Sequence, residues 1–363
     1  METLAFSDLI IDKTKDGTKL PTNDYQKIGS TAIIDQGQEF IAGYTDRSEG
    51  IFTDVPVIIF GDHTRVFKYI DFPFFLGADG VKILKANREV NYRYLYYYFL
   101  QAKFPNTGYA RHFKWLKELQ IPLPPLAEQK HITAILDKTQ KIIAEHKQML
   151  QKYDTLIKSR FIEMFGDPVT NERNWEKVRL DSVADIKIGP FGSLLHQEDY
   201  ITGGHALVNP SHIIDGRICT DEKLTISNEK YTELTPYHLQ KHDVVMGRRG
   251  EMGRCAVVDF DGLLCGTGSL IIRTKGELKS DFIQKIISFP SYKKTIEDKA
   301  VGQTMPNLNV PIVSSFEIIK PPKEVQDNYY AFVQQIDKSK FAVQKSLEKT
   351  ETLYKALMQQ YFG

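Results

Sequence analysis

One stretch of this 363-residue chain is written twice. Residues 121–166 read IPLPPLAEQKHITAILDKTQKIIAEHKQMLQKYDTLIKSRFIEMFG, and residues 318–363 read IIKPPKEVQDNYYAFVQQIDKSKFAVQKSLEKTETLYKALMQQYFG. The two align without a gap at an offset of 197, with 13 of 46 positions identical. A repeat of this length fixes architecture before any local feature does. Both copies open on a proline pair, Pro124-Pro125 and Pro321-Pro322, carry a glutamine soon after, Gln129 and Gln326, and end in Phe-Gly. The Asp137-Lys138 and Asp337-Lys338 pairs sit instead at an offset of 200, which would fit a compensated three-residue slip.

Each copy reads as one long helix. Proline is tolerated just before and at a helix start, and Gly166 or Gly363 suits the stop. Followed at a 4,3 spacing, the first copy places Ile132, Leu136, Ile143, Leu150, Tyr153, Ile157 and Met164 on one stripe. The second places Val333, Ile336, Val343, Leu347, Tyr354 and Leu357 on another. Such spacing held over several heptads predicts a coiled coil. Chain order makes the pairing antiparallel. About 38 helical residues would span on the order of 57 Å. The expected organisation is a first domain over 1–120, a central helix over 121–166, a second domain over 167–317 and a C-terminal helix over 318–363. The fold class is α+β, two globular domains separated by an antiparallel helix pair with pseudo-two-fold symmetry.

The globular parts hold short β-like runs with frequent glycine punctuation. Strands are predicted at Pro56–Phe60, Asp243–Met246, Cys255–Val258 and Ser269–Arg273, and helices at Tyr92–Leu100 and Asp281–Ser288. Gly266-Thr267-Gly268-Ser269 lacks the third glycine of a dinucleotide fingerprint and reads as a turn. The three cysteines, Cys219, Cys255 and Cys265, form no C-x-x-C pair and read as buried small apolar side chains, with no metal site. No apolar run reaches the ~18–20 residues of a membrane span, and the first residues lack the layout of a secretory signal. The expected location is the cytoplasm.

Several motifs, taken in order, resemble the specificity subunits of type I restriction–modification systems. They are the twofold Pro-Pro…Gln leading into a long helix, the joint Met164-Phe165-Gly166-Asp167-Pro168…Trp175-Glu176-x-Val178-x-Leu180, the stretch VVMGRRGEMG over Val244–Gly253, and GQTMPNL over Gly302–Leu308. The likeness covers essentially the whole chain, although the first domain lacks the Trp-led opening found at Trp175. It implies two target-recognition domains that bind double-stranded DNA at a bipartite, asymmetric target with an unread spacer. It also implies two modification (methyltransferase) subunits as partners and, in the restricting form, two restriction subunits. Adenine methylation and cleavage would belong to those partners, and S-adenosylmethionine, ATP and Mg would be bound there. This chain would carry no cofactor and no catalytic residue.

The residues agree with that division of labour. An amino-methyltransferase needs a [DNS]-P-P-[YFW] loop for the flipped base, whereas here the proline pairs precede Leu126 and Lys323. No G-x-x-x-x-G-K-[ST] phosphate loop occurs. Net charge is only +1, and residues 167–317 carry 18 basic against 21 acidic groups. DNA binding would then rest on local patches, with partners sharing the phosphate contacts. The candidate patches are His63 and Arg65 in a turn, the cluster Tyr109, Arg111, His112 and Lys114, the loop arginines Arg248, Arg249 and Arg254, and Gln303 with Asn307 as adenine readers. Each of these could equally be a solvated turn. The competing reading of the chain is a non-catalytic scaffold whose two domains bind proteins.

Overall fold

In a computed structural model, residues 2–77, 79–105, 110–191, 194–300 and 307–363 are described. The chain divides into two compact units, Met1–Leu150 with Phe341–Gly363, and Gln151–Lys340. Each unit therefore takes a share of both long helices.

The first unit runs β1 (Glu2–Ala5), α1 (Phe6–Leu9), β2 (Ile10–Asp12), β3 (Thr31–Ile34), β4 (Gly43–Thr45), β5 (Val57–Gly61), β6 (Phe67–Ile70), β7 (Phe74–Leu76), β8 (Val81–Ala86), α2 (Tyr92–Leu100), α3 (Phe113–Leu116) and β9 (Gln120–Leu123). The central helix α4 (Leu126–Phe165) follows. A four-stranded sheet of order β2-β8-β5-β6 and a three-stranded sheet of order β4-β3-β7 pack together, with β3 and β7 parallel. Every residue of β5 is buried, because side chains alternate across a strand and both faces are covered. Ile58 and Phe60 join Tyr94, Leu95 and Phe99 of α2, while Val57 and Ile59 meet Ile34, Phe74 and Leu76 of the other sheet.

The second unit runs β10 (Lys177–Arg179), α5 (Leu180–Val183), β11 (Ala184–Ile188), β12 (Tyr200–Ile201), β13 (His205–Val208), β14 (Ile213–Ile214), β15 (Arg217–Ile218), β16 (Thr225–Ile226), α6 (Asn228–Glu233), β17 (His238–Leu239), β18 (Val244–Gly247), β19 (Cys255–Val257), β20 (Leu263–Cys265) and β21 (Ser269–Thr274). It continues through α7 (Ser280–Ile287), α8 (Pro290–Lys299), α9 (Val310–Ser314), β22 (Glu317–Ile319) and α10 (Lys323–Phe362). Its sheet of order β11-β21-β18-β19 repeats the first unit's four-stranded order strand for strand, and the parallel pair recurs as β13 with β20. The core divides in the same way. Val244 and Met246 face α7, while Val245 faces Val208 and Cys265.

The repeat therefore extends into the globular parts. The first unit has an equivalent of the Trp175 joint despite lacking the tryptophan, since β1 pairs with β9 as β10 pairs with β22. Helices α4 and α10 start and end 197 residues apart, so no slip separates their ends. Gln129 and Gln326 are both buried and donate through Nε2 to Pro124 O at 2.8 Å and Pro321 O at 2.9 Å. At the other end of α4, Gly166 adopts φ +75 and the Trp175 indole donates to Phe165 O at 3.1 Å, which closes an open helix carbonyl.

The two long helices pack antiparallel within each unit. In the first, Gln140 Nε2 donates to the Tyr354 hydroxyl at 2.8 Å, Lys147 pairs with Glu351 at 3.0 Å, and Leu136 shares a core with Met358. In the second, Lys340 pairs with Asp154 at 2.5 Å and Phe161 packs on Tyr329. Along the expected stripes, Ile132, Leu136, Ile157 and Leu347 are buried, and Ile143, Leu150, Tyr153, Met164, Val333, Ile336, Val343, Tyr354 and Leu357 are partly buried. One cysteine departs from expectation. Cys255 and Cys265 are buried, but Cys219 follows the β14–β15 hairpin and is exposed. Among the described residues, no helix is long and apolar enough to cross a membrane.

Candidate nucleic-acid interface

At one end of each unit's sheets, four loops are knotted by the same backbone bonds. In the first unit the β5–β6 hairpin closes through Gly61 N to Val66 O at 2.9 Å. Asp62 N then donates to Gly80 O at 2.7 Å, His112 N donates to Asp62 O at 2.8 Å, and Gly77 N donates to Ile34 O at 2.8 Å. In the second unit Gly247 N closes the β18–β19 hairpin onto Arg254 O at 2.8 Å. Arg248 N donates to Gly268 O at 2.9 Å, Leu308 N donates to Arg248 O at 2.9 Å, and Gly266 N donates to Val208 O at 3.0 Å. The Gly266–Ser269 stretch is thus a turn within this knot. Four loops distant in sequence are thereby joined into one surface, and the bonds pair backbone groups that would otherwise be left unsatisfied.

The side chains hung on this shared frame differ. In the first unit the hairpin tip carries His63, half-buried, and Arg65, exposed, at φ +62. Asp62 is buried and its Oδ1 accepts from Phe113 N at 2.8 Å, so it anchors the segment leading to α3. Arg111 is exposed and helps hold the Asp79 carboxyl below its usual range, behind the larger effect of the Lys19 hydrogen bond. Lys114 is exposed, its ammonium 4.2 Å from the Trp115 ring centre. His112 is turned inward. It is only 1% exposed, with Nδ1 3.0 Å from Asp62 O, and packs between Phe104 and Trp115. A side chain enclosed in this way packs inside the loop knot. Tyr109 lies outside the described residues.

In the second unit the same positions are richly basic. Arg248 Nε donates to Asn307 Oδ1 at 3.0 Å, joining two residues that the sequence left 59 apart. Burial, followed by the neighbouring charge of Arg249, pushes the Arg248 guanidinium below its ordinary value. Arg249 is exposed. Arg254 is half committed, since Nη1 donates to Pro210 O at 3.1 Å and Nη2 to Glu251 at 2.9 Å. Gln303 lies outside the described residues. Sequence reasoning missed Glu251 and Lys293. Hydrogen bonds from Lys293 and then Arg254 hold the Glu251 carboxyl down at about 2. Lys293 comes from α8, so no local spacing points to it. Gln36 was missed in the first unit for a similar reason. Its Nε2 donates to Asp79 O at 2.8 Å and its carbonyl accepts from Thr64 Oγ1 at 2.6 Å, linking three loops.

A tandem pair of α+β domains with unlike side chains on matching loop frames, each resting on both helices of an antiparallel pair, defines a two-part recognition protein. Residues 10–152 and 172–351 match the type I restriction modification DNA specificity domain, one match to each half. The chain therefore belongs to that family. It is 22% identical over 316 residues to the type I restriction enzyme MjaVIII specificity subunit of Methanocaldococcus jannaschii, covering 78% of this chain and 74% of that one. It is 31% identical over 153 residues to the type I restriction enzyme EcoR124I/EcoR124II specificity subunit of Escherichia coli, covering 37% of each. In fold it resembles the crystal structure of a type I restriction–modification S subunit from M. genitalium, with a TM-score of 0.63 at 16% identity over 100% of this chain and 96% of that one.

Proposed function

We propose that this chain is the sequence-reading subunit of a type I restriction–modification complex, with each unit reading one half of a bipartite, asymmetric DNA target. The observation that carries this reading is the duplicated four-loop knot. One frame is used twice with different side chains, as two unlike half-sites demand. In the second unit Arg248, Arg249, Arg254 and Asn307 are the candidate DNA-facing groups. Arginine matches the guanine edge and asparagine the adenine edge in the major groove. In the first unit the candidates are His63, Arg65, Arg111 and Lys114. Adenine methylation and cleavage fall to modification and restriction subunits, which bring S-adenosylmethionine, ATP and Mg. The stripes from Ile132 to Met164 and from Val333 to Leu357 serve as the helix-pairing surfaces.

Co-expression with the cognate modification subunit, followed by genome-wide mapping of methylated adenines, tests the proposal. The expected result is a two-part motif that disappears when this chain is deleted. Replacing residues 167–317 with a different recognition domain is expected to change one half of the motif and leave the other intact. A one-part motif, or one that persists without this chain, overturns the reading.

A further inference from the structure

One buried cation in the first unit has no counterpart in the second. Lys68 lies on β6 opposite Ile59 and is 3% exposed. In the second unit the same sheet position, opposite Val245, is Ala256, fully buried among Val208, Val245 and Ile271. This fold closes its core there with a methyl group. A buried ammonium is costly unless oxygen acceptors surround it, and apolar replacement of buried ions is often neutral or stabilising. Burial accordingly pushes the Lys68 ammonium below its ordinary value.

Lys68 spends its three donors on a single loop. Nζ reaches Asp35 O at 2.9 Å, Glu39 O at 2.5 Å and Asp35 Oδ1 at 3.5 Å. Asp35 Oδ1 also accepts from Gly37 N at 2.8 Å. Gln36 fixes the outer side of the loop, its Oε1 accepting from His63 N at 3.3 Å in addition to the bonds to Asp79 and Thr64. A Cβ on Gly80, at φ +89, would lie 2.6 Å from Gln36 Nε2, so the neighbouring turn is shaped around this amide. With Asp35 and Gln36 turned inward, the loop offers Gln38, Glu39 and Phe40 to solvent beside the hairpin that carries Arg65.

We infer that the loop Asp35–Phe40 is a base-reading element of the first unit, with Gln38 as its specificity-determining residue and Lys68 as the buried positioning residue that holds the loop in its reading shape. The inference rests on the DNA-reading function proposed above. A glutamine amide pairs in bidentate fashion with adenine N6 and N7 in the major groove. Pre-ordering a six-residue segment removes an entropy cost that would otherwise oppose binding.

The test uses the complex with its modification subunit. Gln38→Ala, an exposed substitution, is expected to relax the methylated motif at one position of one half only and to weaken binding to the cognate duplex about tenfold, within the range of one lost bidentate contact. Lys68→Met is expected to keep the second half of the motif and the affinity for a non-specific duplex while losing discrimination in the first half. A purely structural role for Lys68 would instead lower the melting temperature with discrimination unchanged. An unaltered motif in Gln38→Ala, or a change in the half that responds to replacement of residues 167–317, overturns the inference. Absence of any two-part motif with the wild-type chain refutes the parent reading instead.

Discussion

Glu251 lies in the second unit's β18–β19 hairpin and carries a charge of the same sign as the duplex proposed as its ligand. Its carboxylate accepts from Arg254 at 2.9 Å and Lys293 at 2.8 Å, so two of the local cations are already neutralised. Glu251→Gln would remove one negative charge and release both partners toward phosphate. Affinity of the complex for a non-specific duplex is expected to rise severalfold, with a steeper salt dependence as further counterions are displaced. Fluorescence anisotropy across a salt series reads both. Unchanged affinity would place this face away from the duplex. The cysteines behave differently from one another for a related reason. Burial pushes the Cys255 thiol up to about 12 and moves Cys265 in the same direction, whereas Cys219 is exposed. Thiolate is the reactive form. A chromogenic disulfide reagent at pH 8 is therefore expected to titrate one thiol in the native chain and three after denaturation. Sequence alone could not separate these cysteines, because the β14–β15 hairpin beside Cys219 carries too short a pattern to place it. The burial of His112 was illegible for the converse reason. A histidine between Arg111 and Phe113 looks like part of a basic patch until the bond to Asp62, fifty residues earlier, turns its ring inward.

Among the elements, the long helices were the most legible because their signals are local and repeated: a proline pair, a glutamine and a 4,3 stripe. What the sequence did not reveal is why the glutamine recurs. Gln129 Oε1 accepts from Asn91 N at 2.9 Å while its Nε2 caps Pro124 O, so one amide joins the start of α4 to the start of α2. Gln326 likewise caps Pro321 O at 2.9 Å, and its Nε2 also donates to Glu277 O at 3.4 Å, ahead of α7. Replacing either with leucine leaves buried backbone groups unpaired, at a cost of about 1–3 kcal/mol. Gln129→Leu and Gln326→Leu are each expected to lower thermal stability by several degrees, read by calorimetry, and a null result for either would remove the amide from this role. The docking of α2 and α7 carries the repeat further with different side chains. Arg93 of α2 binds Asp137 at 2.6 Å, with Tyr97 donating to the same carboxylate oxygen at 2.5 Å. On α7 the charges are carried instead by Asp281, raised above its ordinary value by burial, and Lys285, lowered by burial. Both aspartates of the Asp-Lys pairs at an offset of 200 thus lie near a cation of the docked helix, Asp137 beside Arg93 and Asp337 within the field of Lys285. The short strands were the least legible. Two-residue strands such as β12 and β16 carry no periodicity, and the parallel β3–β7 and β13–β20 pairings join segments with no local signature.

For the whole molecule the decisive quantity is the balance of 47 basic against 46 acidic residues. A duplex-binding protein draws much of its affinity from counterion release, with log K falling as about −0.9 per phosphate neutralised. Each unit gathers only a few cations at its loop surface, and some of these, like Arg254, are internally paired. Their side chains can distinguish bases without supplying the phosphate contacts that hold a duplex. Under the proposed function, reading and holding are then separate tasks, and this chain carries only reading. The consequence is measurable. The isolated chain is expected to bind its target duplex weakly, with a shallow salt slope, while the complex with modification subunits binds more tightly with a slope steeper by several phosphates. Anisotropy titrations between about 50 and 200 mM salt, the range over which such contacts weaken most visibly, compare the two directly. If the isolated chain matched the complex in both affinity and slope, the phosphate contacts would have to lie on this chain after all, and the near-neutral charge would have to conceal a basic surface larger than the loop knots provide.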